Sequence, residues 1–173
     1  MTNALLELLP DRDEHFMREA LRQAAKAYRA TEVPVGAVVV DAAGHIIGRA
    51  WNQVELLKDA TAHAEMLALT QAQAHVGDWR LSGCTLYVTK EPCPMCAGAI
   101  VHCRPDRVVF GCPDEKAGGA GGLYNILQSD SLNHRCEITS GVLAQESLAL
   151  LRQFFSEARA KAKAAKAARD APP

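Results

Sequence analysis

A chain of 173 residues, 49 % apolar and 23 % charged, has the size and composition of one ordinary globular domain able to bury a substantial core. No apolar run approaches the ~20 residues that cross a bilayer, and Met1 to Pro10 has neither a basic start nor an apolar stretch long enough for a secretory signal, so a cytoplasmic protein is expected. The net charge of −1 argues against a uniformly basic nucleic-acid binder, but Arg152, Arg159, Lys161, Lys163, Lys166 and Arg169 face only Glu157, which gives that segment +5 and leaves −6 on the remainder.

In chain order, Asp11, Asp13 and Glu14 suit the positive end of a first helix, whose core face carries Met17, Ala20, Leu21, Ala24 and Tyr28 at helical spacing. The β-branched run Val35–Val40, the turn Asp41–Gly44 and His45–Gly48 read as a hairpin. Asp59 or Thr61 is placed to cap a second helix through His63, Met66, Leu67 and Leu69. Cys84–Thr89 reads as a third strand, Pro92 to about His102 as a third helix, and Arg107–Phe110 as a fourth strand. Gly118, Gly119, Gly121 and Gly122 mark a flexible loop, Cys136–Thr139 a fifth strand, and Leu148, Leu151 and Phe155 one face of a last helix. This alternation predicts α/β architecture: helices on a mostly parallel sheet after an antiparallel hairpin. Residues 1–158 form one domain; the Ala/Lys-rich 159–173 lacks an apolar stripe and is expected to fray.

Two short motifs carry the chemistry. His63-Ala-Glu65 stands at the start of one expected helix, and Pro92-Cys93-Pro94-Met95-Cys96 opens the next. Alone, a His-x-Glu triplet is common by chance, and Cys-x-x-Cys also serves dithiol redox proteins. Together they supply one imidazole and two thiolates, good zinc ligands, with a fourth tetrahedral position left for water. Such an open position marks a catalytic site over a structural one. Residues two apart on a regular helix do not face each other, so convergence of His63 and Glu65 requires an irregular helix entrance at His63. Glu65 is then placed for proton transfer, taking a proton from the attacking water and delivering protons to the ring nitrogen and the leaving amine. His102 or Cys103 could close the metal site, but Cys103 lies about 10 Å along the helix axis from Cys96. Cys84, Cys112 and Cys136 read as buried structural thiols.

The paired motifs resemble the signature of the zinc nucleobase deaminases, H-x-E with P-C-x-x-C. Over about Asp13 to Ala158 the chain further resembles the bacterial tRNA adenosine deaminases, at Glu32-Val-Pro-Val-Gly-Ala-Val38, Trp51-Asn52, Thr61–Glu65, Leu86–Thr89, Glu91–Ala99, Arg107–Gly111 and Asn133–Arg135. The resemblance implies a three-layer α/β/α cytidine-deaminase-like fold with a mixed five-stranded sheet and a homodimer. It implies one Zn²⁺ per chain on His63, Cys93 and Cys96, with Glu65 as proton shuttle. Asn52 and the Ala64 backbone would contact the flipped base, and Asp114 would lie near the neighbouring ribose. The implied reaction is hydrolytic conversion of adenosine to inosine at the wobble position of an arginine tRNA, whose anticodon stem-loop is the partner. Three departures stand out: Asp59-Ala60-Thr61 lacks the family's usual proline, Lys90 replaces a common aliphatic residue, and Pro113 a polar or basic one. The rival readings are a deaminase of a free base or nucleoside (guanine or cytidine), a zinc-stabilised binding module and a dithiol redox protein. The basic arm and the Asn133–Arg135 match favour RNA.

Overall fold

The computed structural model describes residues 12–170; Met1 to Asp11, including the expected helix-opening Asp11, lie outside them. Helix α1, Arg12–Arg29, has Asp13 and Glu14 in its first turn and Lys26 and Arg29 in its last, each sign at the helix end that favours it. Strands β1 (Gly36–Val40) and β2 (Ile46–Trp51) form the hairpin. A four-residue helix α2 (Val54–Leu57), which the apolar pattern did not mark, precedes α3 (Ala64–Val76). Then follow β3 (Thr85–Lys90), α4 (Pro94–Cys103), β4 (Arg107–Cys112), β5 (Glu137–Ser140) and α5 (Ala144–Asp170).

The sheet order is β2-β1-β3-β4-β5. β1 pairs antiparallel with both β2 and β3, whereas β3–β4 and β4–β5 are parallel. The sheet is therefore evenly mixed and not mostly parallel. The reason is the first crossover: α3 carries the chain from β2 to β3 over the intervening β1, so the two parallel strands it joins are not neighbours.

Alternation along the strands sorts the core into two clusters. Val38, Val40, Tyr87 and Val109 pack against Phe16, Met17 and Ala20 of α1. Ala37, Val39, Leu86, Val88, Val108 and Phe110 pack against Ala64, Ala68 and Ala72 of α3 and Ala97, Ile100 and Val101 of α4. Each fully buried Val, Leu or Ile is worth about 1.5–3 kcal/mol of transfer free energy. The alanine row on α3 lets it lie close to the sheet, and a Cβ on Gly48 of β2 would stand 2.3 Å from the Ala68 carbonyl oxygen. The α1 face buries Phe16, Gln23 and Ala27 as well as the expected Met17, Ala20 and Ala24, with Leu21 and Tyr28 only half-buried. Tyr87 and Arg107 fasten α1 to the middle of the sheet: the Tyr87 hydroxyl donates to Asp13 at 2.9 Å, and Arg107 donates to both Asp13 oxygens at 2.8 and 2.7 Å.

Two local expectations change. Asp59 does not cap α3; its Oδ1 accepts from the Thr61 N–H and hydroxyl at 2.8 and 2.7 Å, closing a turn ahead of the helix. Phe155 is not an anchor of α5. Leu151 is buried, Phe154 stacks edge-on against Tyr28 with centroids 6.2 Å apart, and Phe155 is 43 % exposed. Helix α5 continues to Asp170 across the segment that composition sets apart as a tail, and every residue from Phe155 to Arg169 is exposed.

Candidate active site

The amino ends of α3 and α4 meet beside the carboxyl end of β3. His63 is the N-cap residue of α3 (φ −70°, ψ 153°) and Cys93 that of α4 (φ −70°, ψ 169°). Both have extended backbones, and neither side chain caps its own helix. Serine or aspartate at these positions would fold back on the helix N–H groups; imidazole and thiol instead reach across the gap. Pro94 takes the first helical position of α4, where a missing N–H costs nothing. Because His63 stands outside the helix and Glu65 inside its first turn, the irregular entrance inferred from the two-residue spacing is present.

His63 Nδ1 lies 3.7 Å from Cys93 Sγ and 3.4 Å from Cys96 Sγ. A tetrahedral zinc with bonds of about 2.3 Å to sulfur and 2.0–2.1 Å to nitrogen holds N and S about 3.5 Å apart, so the three groups fit that ion. Among the described residues they are the one His/Cys/Asp/Glu group whose donor atoms converge, all within 4.8 Å. Cys103 is elsewhere, accepting from Gln73 Nε2 at 3.1 Å, and His102 is exposed. The site therefore keeps three protein donors. Donation from the Cys96 thiol holds Cys93 down to about 3; burial opposes this and His63 adds to it. The same donation, with burial, pushes Cys96 up. One sulfur of the pair is thus poised as thiolate. Cys84, Cys103, Cys112 and Cys136 are buried, and burial raises all four, as expected of structural thiols.

Glu65 is 4 % exposed. Burial pushes its carboxyl above the ordinary range, against its own backbone N–H and the neighbouring His63. A carboxyl that holds a proton more tightly than usual, at the floor of a cleft, suits both accepting and returning one.

The cleft measures about 660 Å³. His63, Glu65 and Cys93 line its floor, Asn52 and Glu32 one wall, and Leu151, Phe154, Phe155 and Ala158 of α5 another. Asn52 Nδ2 donates to Glu32 Oε2 at 3.1 Å, and Glu32 Oε1 accepts from the Leu56 N–H at 2.6 Å. A carboxylate only accepts, so Glu32 turns the amide nitrogen of Asn52 toward itself. Ala64 occupies the first position of α3, where a backbone N–H has no acceptor within the helix.

Asp114 does not line the cleft; Lys90, which does, pairs with it. Asp114 also accepts from the N–H groups of Lys116 and Ala117 at 3.1 and 3.3 Å. Burial opposes its ionisation, but Lys90 and these N–H groups win, and its carboxyl stays below the ordinary range. Ala60 and Pro113 are exposed and do not line the cleft. Asn133–Arg135 also lies outside the cleft lining: His134 Nε2 is 2.8 Å from the Pro105 carbonyl, and Arg135 pairs with Asp130.

The glycine-rich loop is not a free hinge. Buried Glu91 receives the N–H groups of Ala120 and Gly122 at Oε1 (3.0 and 2.8 Å) and of Asp114 at Oε2 (2.7 Å). A Cβ on Gly118 would stand 2.3 Å from that carboxylate, and one on Gly122 2.5 Å. These glycines provide clearance. Glu32 and Glu91 were not singled out as site residues from the sequence. Their signal was an acidic residue embedded among core-type neighbours, Glu32 before Val-Pro-Val and Glu91 before Pro92.

Residues 10–112 match the family model of the cytidine and deoxycytidylate deaminase zinc-binding region. The chain is 51 % identical over 154 residues to the tRNA-specific adenosine deaminase of Bacillus subtilis, covering 89 % of this chain and 95 % of that protein. A solved structure from work on A-to-I editing by tRNA:A34 deaminases at the wobble position of transfer RNA superposes with a TM-score of 0.76 at 39 % identity, covering 79 % of this chain and 99 % of the other. A guanine deaminase of Nitrosomonas europaea superposes at 0.71 with 26 % identity, covering 82 % and 83 %. The site geometry, the family match and these relatives agree that the chain belongs to the zinc-binding cytidine and deoxycytidylate deaminase family, among the tRNA-specific adenosine deaminases.

Proposed function

We propose that this protein hydrolyses adenosine to inosine at the wobble position of a tRNA, an arginine tRNA by resemblance, with its anticodon stem-loop as substrate. The observation that carries the reading is the buried Glu65 carboxyl set beside three converging metal donors at the floor of a cleft. His63, Cys93 and Cys96 would hold one zinc per chain, which when bound supplies a Lewis-acidic open position and lowers the pKa of water there. Glu65 takes one proton from the attacking water and passes it to the ring nitrogen, then takes the proton of the hydroxyl newly bonded to the base carbon and delivers it to the amine, which leaves as ammonia. Asn52, its amide turned by Glu32, and the Ala64 N–H hold the base edge. Asp114, fixed by Lys90, stands one residue back from the cleft, where a ribose next to the flipped base would lie. A single-stranded loop lowers the cost of extruding that base, and its neighbours supply binding energy. The reading includes a homodimer.

The structural likeness to a guanine deaminase favours a second reading, deamination of a free base. One experiment separates them. The protein is given a synthetic anticodon stem-loop with adenosine at the wobble position, and free adenosine, cytidine and guanine in parallel. Inosine in the stem-loop with little turnover of the free compounds is the expected result; comparable turnover of free guanine would transfer the case to the second reading.

A further inference from the structure

Helix α5 presents three different faces. Towards α1, Gln153 Nε2 donates to the Tyr28 hydroxyl at 2.9 Å, and that hydroxyl donates to Glu157 at 2.6 Å. Towards the cleft stand Leu151, Phe155 and Ala158. At 3.6 residues per turn, Arg152, Arg159, Lys163 and Lys166 fall within about 60° of one another on a third face, roughly a quarter-turn from the cleft. All four are exposed, and among the described residues none makes an ion pair. The one acidic residue between Arg152 and Lys166, Glu157, is held on the α1 side by Tyr28. Lys161 points to that side too. Chain composition alone shows a +5 segment; the helix sorts four of its charges into one uncompensated row.

We propose that this row is a rail for RNA phosphates, starting beside the cleft and leading about 21 Å outward along the helix axis. The proposal rests on the RNA reading above and adds which residues carry the strand flanking the target nucleotide. A row of cations at the cleft edge suits a polyanion that enters the cleft with one nucleotide and continues outside it. A free base has no phosphate to lay there. Tyr28 sets the rotation of the helix, so that the apolar residues close the cleft while the cations face outward.

The test is the salt dependence of binding of the same wobble-adenosine stem-loop. Each phosphate contact contributes roughly 0.7–0.9 to the steepness of log affinity against log salt. Arg159→Gln/Lys163→Gln/Lys166→Gln should make the slope shallower by about two units, and Lys161→Gln should leave it unchanged. Ala162→Pro keeps every charge but breaks the helix between Arg159 and Lys163. It should make the slope shallower by about one unit or more, because Lys163 and Lys166 leave the row. An unchanged slope in the triple variant overturns the proposal. So does a Lys161→Gln effect equal to that of Lys163→Gln, or wild-type binding by Ala162→Pro, either of which means a tail acting through charge alone. Inosine formation by the unmodified protein is scored on the same RNA. Its absence overturns the functional reading, whereas inosine with unchanged slopes overturns only the rail.

Discussion

Helices α3 and α4 meet the cleft end-on, offering it their first residues, and run away from it with one side buried against the sheet. Helix α5 crosses the same cleft sideways and leaves every residue from Phe155 to Arg169 exposed. The metal donors and Glu65 thus hang from elements that the core holds in place, which suits chemistry needing placement within about 0.5 Å. The α5 wall rests on Leu151, Phe154 and a few polar bonds to Tyr28. Chemistry and substrate grip are built to different tolerances, and substitutions should separate them.

The largest effects belong to the end-on helices. Cys93→Ala should bind no zinc by elemental analysis after dialysis, lose stability with the metal, and form no inosine. Glu65→Ala should keep the zinc and the fold but lose deamination by more than about 10³-fold, since general acid–base catalysis alone is worth about 10²–10⁴ and one group here serves several transfers. Activity within tenfold of wild type would remove Glu65 from the mechanism, whatever its burial.

Next comes the clip beneath the glycine loop. Glu91→Gln replaces one of the two accepting oxygens with an amide nitrogen and leaves at least one of the three backbone N–H groups facing a donor, at a cost of about 1–3 kcal/mol. A thermal midpoint that does not fall would show the loop holding itself. On the far side of the sheet, burial tends to raise the Asp13 carboxyl, but the Arg107 and Tyr87 hydrogen bonds outweigh it and hold the group below its ordinary range. A lowered folded-state value means stability present above about pH 4 and lost as the pH falls through the depressed value. Asp13→Asn should therefore lower stability at neutral pH and flatten its acid dependence, read by denaturant unfolding across pH 2–7. An unaltered acid limb would assign that limb to other carboxyls.

The smallest effect is expected in the sideways helix. Tyr28→Phe removes one exposed hydroxyl and should leave the thermal midpoint nearly unchanged. It should nonetheless raise KM for the stem-loop a few-fold with kcat unaltered. A fall in kcat at constant KM would show that α5 reaches the reacting atoms, and the contrast between the two kinds of helix would collapse.

The sequence was most readable where the residue type states its own purpose. Val35–Val40 and Arg107–Phe110 could hardly be other than buried strands, and a His-x-Glu triplet with Pro-Cys-x-x-Cys points to a set of metal donors, with an acid beside them, before any fold is known. What stayed hidden depends on what faces what. Phe154 and Phe155 are the same residue type in the sequence, and only the position of Tyr28 decides which packs and which remains open. Glycines at 118 and 122 read as freedom, because the sequence does not show the carboxylate that would collide with a side chain there. The place of β1 between β2 and β3 depends on how far a crossover reaches. Asp114 accepts from the N–H groups of its own loop and pairs with Lys90, partners that the sequence does not display.

Glu91 has a consequence for how such an enzyme can change. It directly precedes Pro92 and Cys93, so the carboxylate that ties down residues 114–122 belongs to the segment that delivers a metal donor. That loop cannot be lengthened, exchanged or grafted as an independent module without disturbing the approach to Cys93. Helix α5 has no such tie. New substrate preferences, in nature or in the laboratory, should accumulate there first, and arrive in the loop only together with changes around Glu91.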